Sequence, residues 1–391
     1  MTRNCGWNRC LFCPVYKQGV KFSRRTIDDV KKDVDRAKAI DTLLMDYGLF
    51  EAGARSDAYT GAARLIEEIG KTQGEPTTGK DDKQSTGWFS SWFKDEPTIE
   101  DSVYHILTWR LGGGQTCFLG DSNSLVLAPQ FFQEATSYIQ QVFPELNRFT
   151  IYGRTKSAAD MPAGHLEAFK QAGLDRIHFG LESGCNDVLD FMKKGVTANE
   201  HIRGCEKTSE AGISCGVYVM PGLGGSHLST RHAHDTAQVI TACSPDYVRL
   251  RTLEIFPGTR LEIAKNEGRF VEATEEEVVR EIRVLVEGID TRTEIVSDSA
   301  SNLLDVSGKL PEDRQAMLGV VDDYLGLSHR AKLEFSLVSR LQSFIGQYGG
   351  LTQEIFRVVM PFIRDDRIDT GNATDSEIAA AIKLIRARLM P

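Results

Sequence analysis

Residues 148–220 read RFTIYGRTKSAADMPAGHLEAFKQAGLDRIHFGLESGCNDVLDFMKKGVTANEHIRGCEKTSEAGISCGVYVM. Three runs within it, 148–152, 176–181 and 213–220, are short and dense in Ile, Phe, Val and Tyr, the composition of strands. Between them, 163–172 and 198–211 carry apolar residues at helical spacing. A strand, a helix and a further strand without a tight hairpin between them imply parallel pairing through a right-handed crossover. The alternation extends both ways, with strand 115–119 and helix 130–143 before it and helix 232–242 and strand 247–253 after it. The predicted class is α/β, a full or partial β/α barrel, in which chemistry sits at the C-terminal ends of the strands.

The flanks read differently. From Glu275 onward the pattern is helical, with breaks at 298–302, 308–311, 349–350 and Gly371. Residues 1–270 are therefore expected to form the barrel and 271–391 a C-terminal helical region. From Thr26, a plausible N-cap, apolar residues recur as in a long amphipathic helix. The stretch 71–97, rich in Gly, Ser, Thr, Lys and Asp, reads as a surface insertion, with Trp88, Phe89, Trp92 and Phe93 anchoring it to the body.

The formal net charge of -9 argues against a broad electrostatic grip on nucleic acid while leaving room for a local basic cleft. No apolar run approaches the ~20 residues that span a bilayer, and MTRNCGWNRC has no signal-peptide core, so the cytoplasm is the expected location. Of the eight cysteines, Cys117, Cys185, Cys205, Cys215 and Cys243 lie singly in apolar or small-residue contexts and read as reduced core thiols.

The other three stand together in Cys5-GWNR-Cys10-LF-Cys13. Thiolates suit zinc, copper(I) and iron–sulfur clusters. A structural zinc site closes its shell with four ligands, and no His or fourth Cys lies near this loop. Three cysteines on a four-iron cluster leave one iron open to an exogenous ligand.

This loop, with Phe12 just before its third cysteine, resembles that of the radical S-adenosylmethionine (SAM) superfamily, in a variant spacing of four residues, then two. Downstream motifs follow the strand ends in the superfamily's order. Gly120-Asp121-Ser122-Asn123 is similar to the Gly-Gly-Glu motif whose backbone receives the SAM amino group. Tyr152 and Arg154 occupy the place where polar side chains reach the methionyl or ribose part. The run Gly180-Leu181-Glu182-Ser183-Gly184, with Lys194 in MKKG, resembles the branch containing oxygen-independent coproporphyrinogen oxidases and methylthiotransferases. In that branch the Glu182 position contacts the SAM ribose or amino group, and a basic residue at the Lys194 position holds the carboxylate. Tyr218 opens a segment similar to the glycine-rich turn beside the adenine and ribose, ending at Gly225, and Phe256-Pro257-Gly258-Thr259 resembles the segment after the sixth barrel strand.

The resemblance implies a partial (β/α)6 TIM-like barrel, a 4Fe-4S cluster on Cys5, Cys10 and Cys13, and SAM as cofactor. It also implies reductive cleavage of SAM to a 5′-deoxyadenosyl radical, hydrogen abstraction from an unspecified small or macromolecular substrate, and an external one-electron donor of the flavodoxin or ferredoxin type. The absence of a second cysteine cluster argues against a methylthiotransferase, and no cobalamin-binding domain is expected ahead of the loop. In the superfamily a strand precedes the loop; here only Met1-Thr2-Arg3-Asn4 do, so the first strand is expected to be lost, truncated or upstream of the recorded start. Competing readings are an inactive relative that serves as a binding protein and a three-cysteine zinc module. Among polar candidates, His227, His232 and His234 stand as acid, base or metal ligands at the mouth or as helix decoration, and Arg154 and Arg251 as site or rim residues.

Overall fold

The computed structural model describes residues 1–15, 21–51, 55–73, 98–364 and 367–389. Most of the expected insertion, with Trp88, Phe89, Trp92 and Phe93, lies outside the described residues. In chain order, a two-residue pair β1 (Thr2–Arg3) and β2 (Ser23–Arg24) brackets the cysteine loop, and a helical excursion follows: α1 (Ile27–Asp46), α2 (Arg55–Gln73) and α3 (Ile99–Leu111). Next come β3 (Thr116–Leu119), α4 (Pro129–Val142), β4 (Arg148–Gly153), α5 (Thr155–Ala159), α6 (His165–Gln171) and β5 (Leu174–Glu182). The barrel continues through α7 (Asn186–Phe191), α8 (Ala198–Glu210), β6 (Ser214–Val219), α9 (Gly225–Cys243), β7 (Tyr247–Leu250), α10 (Arg260–Asn266), α11 (Glu275–Gly288), β8 (Thr293–Val296), β9 (Gly308–Leu310) and α12 (Arg314–Leu325). The chain ends in α13 (His329–Tyr348), α14 (Gln353–Val359), the pair β10 (Ile363–Arg364) and β11 (Arg367–Ile368), and α15 (Asp375–Arg386).

Helix starts are written locally. Thr26 caps α1, Thr197 caps α8 and Thr274 caps α11, each reciprocated by an acidic residue three positions on. The strands β3 to β9 lie in sequence order in one sheet, parallel from β3 to β8, with β9 antiparallel at the far edge. Helices cover one face, where Ile151, Ile177, Phe179, Leu181, Val217 and Val248 form the main core with α9 and α11. An open sheet of parallel strands with helices on one face is a partial α/β barrel.

The sheet runs past residue 270. β8 and β9 lie within the segment expected to be helical, because TEIV and GKL are short, half-polar runs between helical stretches and carry little periodic signal. The final helices build a second core from Leu337, Phe344, Ile355, Ile378 and Ile385. Ion pairs tie it to the barrel: Arg340 to Glu275 at 2.8 Å and Arg386 to Glu254 at 2.9 Å. At the other edge, residues 2–4 meet the end of β3, where the Thr2 amide donates to Asp121 (3.0 Å) and the Ser122 hydroxyl donates to the Asn4 carbonyl (2.9 Å). Among the described residues, no strand pairs with β3 on its outer side.

Candidate active site

The cysteine loop lies across the C-terminal ends of the strands. Its backbone is fixed at Leu11, whose amide donates to the Met192 carbonyl (3.0 Å) and whose carbonyl accepts from the Leu261 amide (3.1 Å). Leu11 and Phe12 are buried against Val188, Met192, Leu223 and Leu261, so the PGT segment and the turn after α7 both dock the loop. Trp7 completes the clamp. Its indole Nε1 donates to the Lys193 carbonyl (2.8 Å), and the Arg154 guanidinium lies 4.8 Å from its ring centroid. Gly195 has φ of +67°, and a Cβ there would stand 2.1 Å from the Trp7 ring. Only glycine lets the MKKG turn approach the loop this closely.

Cys5, Cys10 and Cys13 are reduced thiols outside any disulfide, each half-buried. Burial pushes the Cys10 thiol up, and the nearby Lys194 and Arg154 cations act in the opposite direction. Thiols facing two cations suit a group that binds thiolates. Among the described residues, no three His, Cys, Asp or Glu side chains converge to hold a single ion. Three thiols on one loop beside two cations are a donor set whose chemistry suits an iron–sulfur cluster.

Beside the loop, Glu182 ends β5 in the left-handed region, at φ of +66°. Its carboxylate accepts from the Lys194 ammonium at 3.2 Å, with about an eighth of each side chain exposed (13% and 12%). Residues twelve apart in sequence thus meet at the mouth. Burial works against the Lys194 charge, but Glu182 and Cys10 hold its pKa above the ordinary lysine value. The turn bearing Glu182 is backed by a buried network: Ser183 Oγ lies 2.8 Å from His232 Nδ1, and His232 Nε2 faces Glu281 at 3.3 Å. Glu281 also accepts from the Gly222 amide (2.7 Å) and the Ser229 hydroxyl (2.8 Å). This network joins the GLESG turn to the glycine-rich turn. Its sequence signal was His232 on the apolar stripe of α9 beside Ala233 and Thr236; His227 and His234 are exposed on the same helix.

The remaining expected residues divide by depth. Gly120 follows β3. Asp121 is buried, with its carboxylate taken by the Thr2 amide, the Asn123 amide (3.1 Å) and the Ser124 hydroxyl (2.8 Å), while Ser122 holds Asn4. Arg154 donates to the carbonyls of Lys194 (2.7 Å) and Gly195 (3.2 Å), locking β4 to the MKKG turn. Tyr152 and Tyr218 face the barrel lumen below the mouth, and Arg251 lies over the Tyr218 ring at 4.9 Å.

The radical SAM superfamily model matches residues 1–236, well over half of the chain. The chain belongs to the radical SAM superfamily. Membership implies a 4Fe-4S cluster and SAM as cofactors and an electron donor to the cluster. A curated relative, a tRNA uridine(34) acetyltransferase of Methanocaldococcus jannaschii, is 24% identical over 108 residues, which cover 27% of this chain and only 20% of that relative. Among solved structures, an N-terminally truncated archaeal Elp3 of Methanocaldococcus infernus is 16% identical over 57% of each chain, with a TM-score of 0.43. The cobalamin-dependent SAM radical enzyme OxsB is 12% identical over 99% of this chain and 52% of its own, at 0.41. Coproporphyrinogen III oxidase (HemN) of Escherichia coli is 10% identical over 68% and 77%, at 0.31. Among the described residues, no helix is long and apolar enough to cross a membrane.

Proposed function

We propose that this chain is an enzyme that cleaves SAM reductively, with its cluster on Cys5, Cys10 and Cys13 and its SAM at the mouth between the cysteine loop and β5. The observation that carries the reading is the Glu182–Lys194 pair meeting at the strand ends beside the three reduced thiols of the loop. When bound and reduced, the cluster supplies the electron that breaks the sulfonium bond to C5′ of SAM and yields a 5′-deoxyadenosyl radical for hydrogen abstraction.

The chain's residues do the positioning. Lys194 presents a desolvated ammonium to the SAM carboxylate. Glu182, held in its left-handed turn by the Ser183–His232–Glu281 network, accepts from the ammonium or ribose hydroxyls. The backbone at Gly120, with Asp121 and Ser122 fixing its course, lines the opposite wall, and Arg154 holds the MKKG turn shut over Trp7. Phe12 packs behind Lys194, whose Nζ lies 5.8 Å from its ring centroid, and Tyr152 and Tyr218 floor the site. The electron donor is of the flavodoxin or ferredoxin type, and the enzyme works in the cytoplasm.

The test is anaerobic incubation of reconstituted protein with SAM and dithionite, with 5′-deoxyadenosine quantified by chromatography. Formation that depends on both protein and reductant is expected. A fully iron-loaded protein that forms none contradicts the reading and favours a binding role.

A further inference from the structure

Below the mouth, the inner face of the sheet departs from the acidic character of the chain. By strand register, Thr150 stands beside Arg176, Tyr152 beside His178, His178 beside Gly216, and Gly216 beside Tyr247; Tyr218 stands beside Arg249. His178 sits at the centre, with the ring centroids of Phe118, Tyr152, Tyr218 and Tyr247 between 5.2 and 6.0 Å away. Four arginines line the same face on either side of it: by register Arg176 and then Arg148 lie toward the N-terminal ends of the strands, and Arg249 and then Arg251 toward the mouth. Burial and these four cations together push the imidazole down to about 4, so at neutral pH it adds no positive charge of its own.

The lumen has few anions to match. Asp298 takes Arg249 (2.8 Å), Glu182 takes Lys194 at the mouth, and Glu294 stands on β8 beside Tyr247. Among the described residues, neither Arg148 nor Arg176 meets a carboxylate directly; the Ser214 hydroxyl that accepts from Arg176 donates in turn to Asp246 (2.8 Å). Arg176 donates to the Ser214 hydroxyl (3.2 Å) and lies over Tyr247 at 5.0 Å, which leaves the outer edge of its guanidinium for another acceptor. Arg148 Nε and the Tyr247 hydroxyl are buried without a hydrogen-bond partner. Buried donors without acceptors are costly in a native structure, and guanidinium forks match carboxylate and phosphate oxygens. The lumen wall is also uncovered at Phe118, which is 45% exposed.

Resting on the proposed function above, which makes this lumen the floor of the SAM site, we propose that the substrate is an anion whose carboxylate or phosphate is held by the arginines that line the inner face on either side of His178. The orphaned Arg148 and Tyr247 donors and the outer edge of Arg176 meet its oxygens. The aromatic walls exclude water from the part of the molecule that rises toward the mouth.

Calorimetric titration of the reconstituted full chain with benzoate, phenyl phosphate, benzyl alcohol and benzylamine tests this. At least one of the two anions is expected to bind about tenfold or more tighter than the alcohol or the amine, and the better anion distinguishes carboxylate from phosphate. Arg176→Gln and Arg249→Gln are each expected to weaken the anion by about tenfold, with Arg176→Lys recovering part of the loss, melting temperature serving as the check on folding. Absence of anion binding, equal affinity for benzylamine, or unchanged affinity in the glutamine variants overturns the proposal. Measuring 5′-deoxyadenosine formation on the same batch separates the two readings. Anion binding without SAM cleavage defeats the proposed function alone, and cleavage without anion binding defeats the substrate class alone.

Discussion

Along β5, Ile177, Phe179 and Leu181 point into the helical layer, whereas Arg176, His178, Gly180 and Glu182 point into the lumen and mouth. Neighbours in sequence, they answer to different physics. Each apolar side chain on the outer face contributes roughly 1.5–3 kcal/mol by leaving water, whatever its exact identity. Each polar side chain on the inner face must find a partner or go unsatisfied, so its identity matters more than its size. Stability should therefore reside on one face and function on the other.

The largest effect expected of that division is on folding. Phe179 is fully buried, and Phe179→Ala should cost about 3–5 kcal/mol through lost transfer energy and the cavity left behind. His178→Gln, one residue earlier, should cost no more than about 1 kcal/mol at neutral pH. Denaturant unfolding of both variants measures this, and equal losses would contradict the division of labour between the two faces.

A smaller effect is expected at the mouth. Lys194→Ala should weaken SAM binding roughly tenfold to a hundredfold, the ~1.5–3 kcal/mol of a hydrogen bond to a charged group. Glu182→Gln should lose less, since its amide keeps one acceptor oxygen. Iron content should stay constant in both. Equilibrium titration with SAM and iron determination on the same sample check this; unchanged affinity in both variants would remove Glu182 and Lys194 from the SAM site.

The smallest effect concerns His178. Its pKa is about 4 in the folded protein and about 6.5 when unfolded, so the unfolded chain takes up this proton first as pH falls. The contribution of His178 is fully present above pH 6.5 and is lost between about 6.5 and 4. Unfolding midpoints at pH 7 and pH 5 should differ less in His178→Gln than in the unaltered protein. An identical difference would mean that His178 does not titrate as its burial beside the arginines requires.

The strands were legible because short runs dense in β-branched and aromatic residues alternate with helical segments, and five strands were read that way. β8 and β9 were not, since four and three residues with polar members give no period to detect. At the site, the cysteine loop was legible from spacing, and Glu182 with Lys194 from a resemblance that the structure places in one ion pair. The Trp7 contact with Lys193 and the Ser183 contact with His232 were not, because they join residues 186 and 49 positions apart and arise only when the barrel folds. His232 was read as a residue of the mouth or a decoration of its helix; it is buried behind the Glu182 turn. Of the lumen arginines only Arg251 was singled out; Arg148, Arg176 and Arg249 escaped notice because they are spread over three strands and stand in sequence as ordinary surface charges.

Iron content after anaerobic reconstitution tests most directly whether the three thiols of the loop hold one cluster. The unaltered chain should bind about four irons with matching sulfide, the stoichiometry of a four-iron cluster with three cysteine ligands, and Cys10→Ala should retain none of that cluster. Full iron retention in Cys10→Ala, or an unaltered chain that takes up a single zinc and no iron, would contradict it.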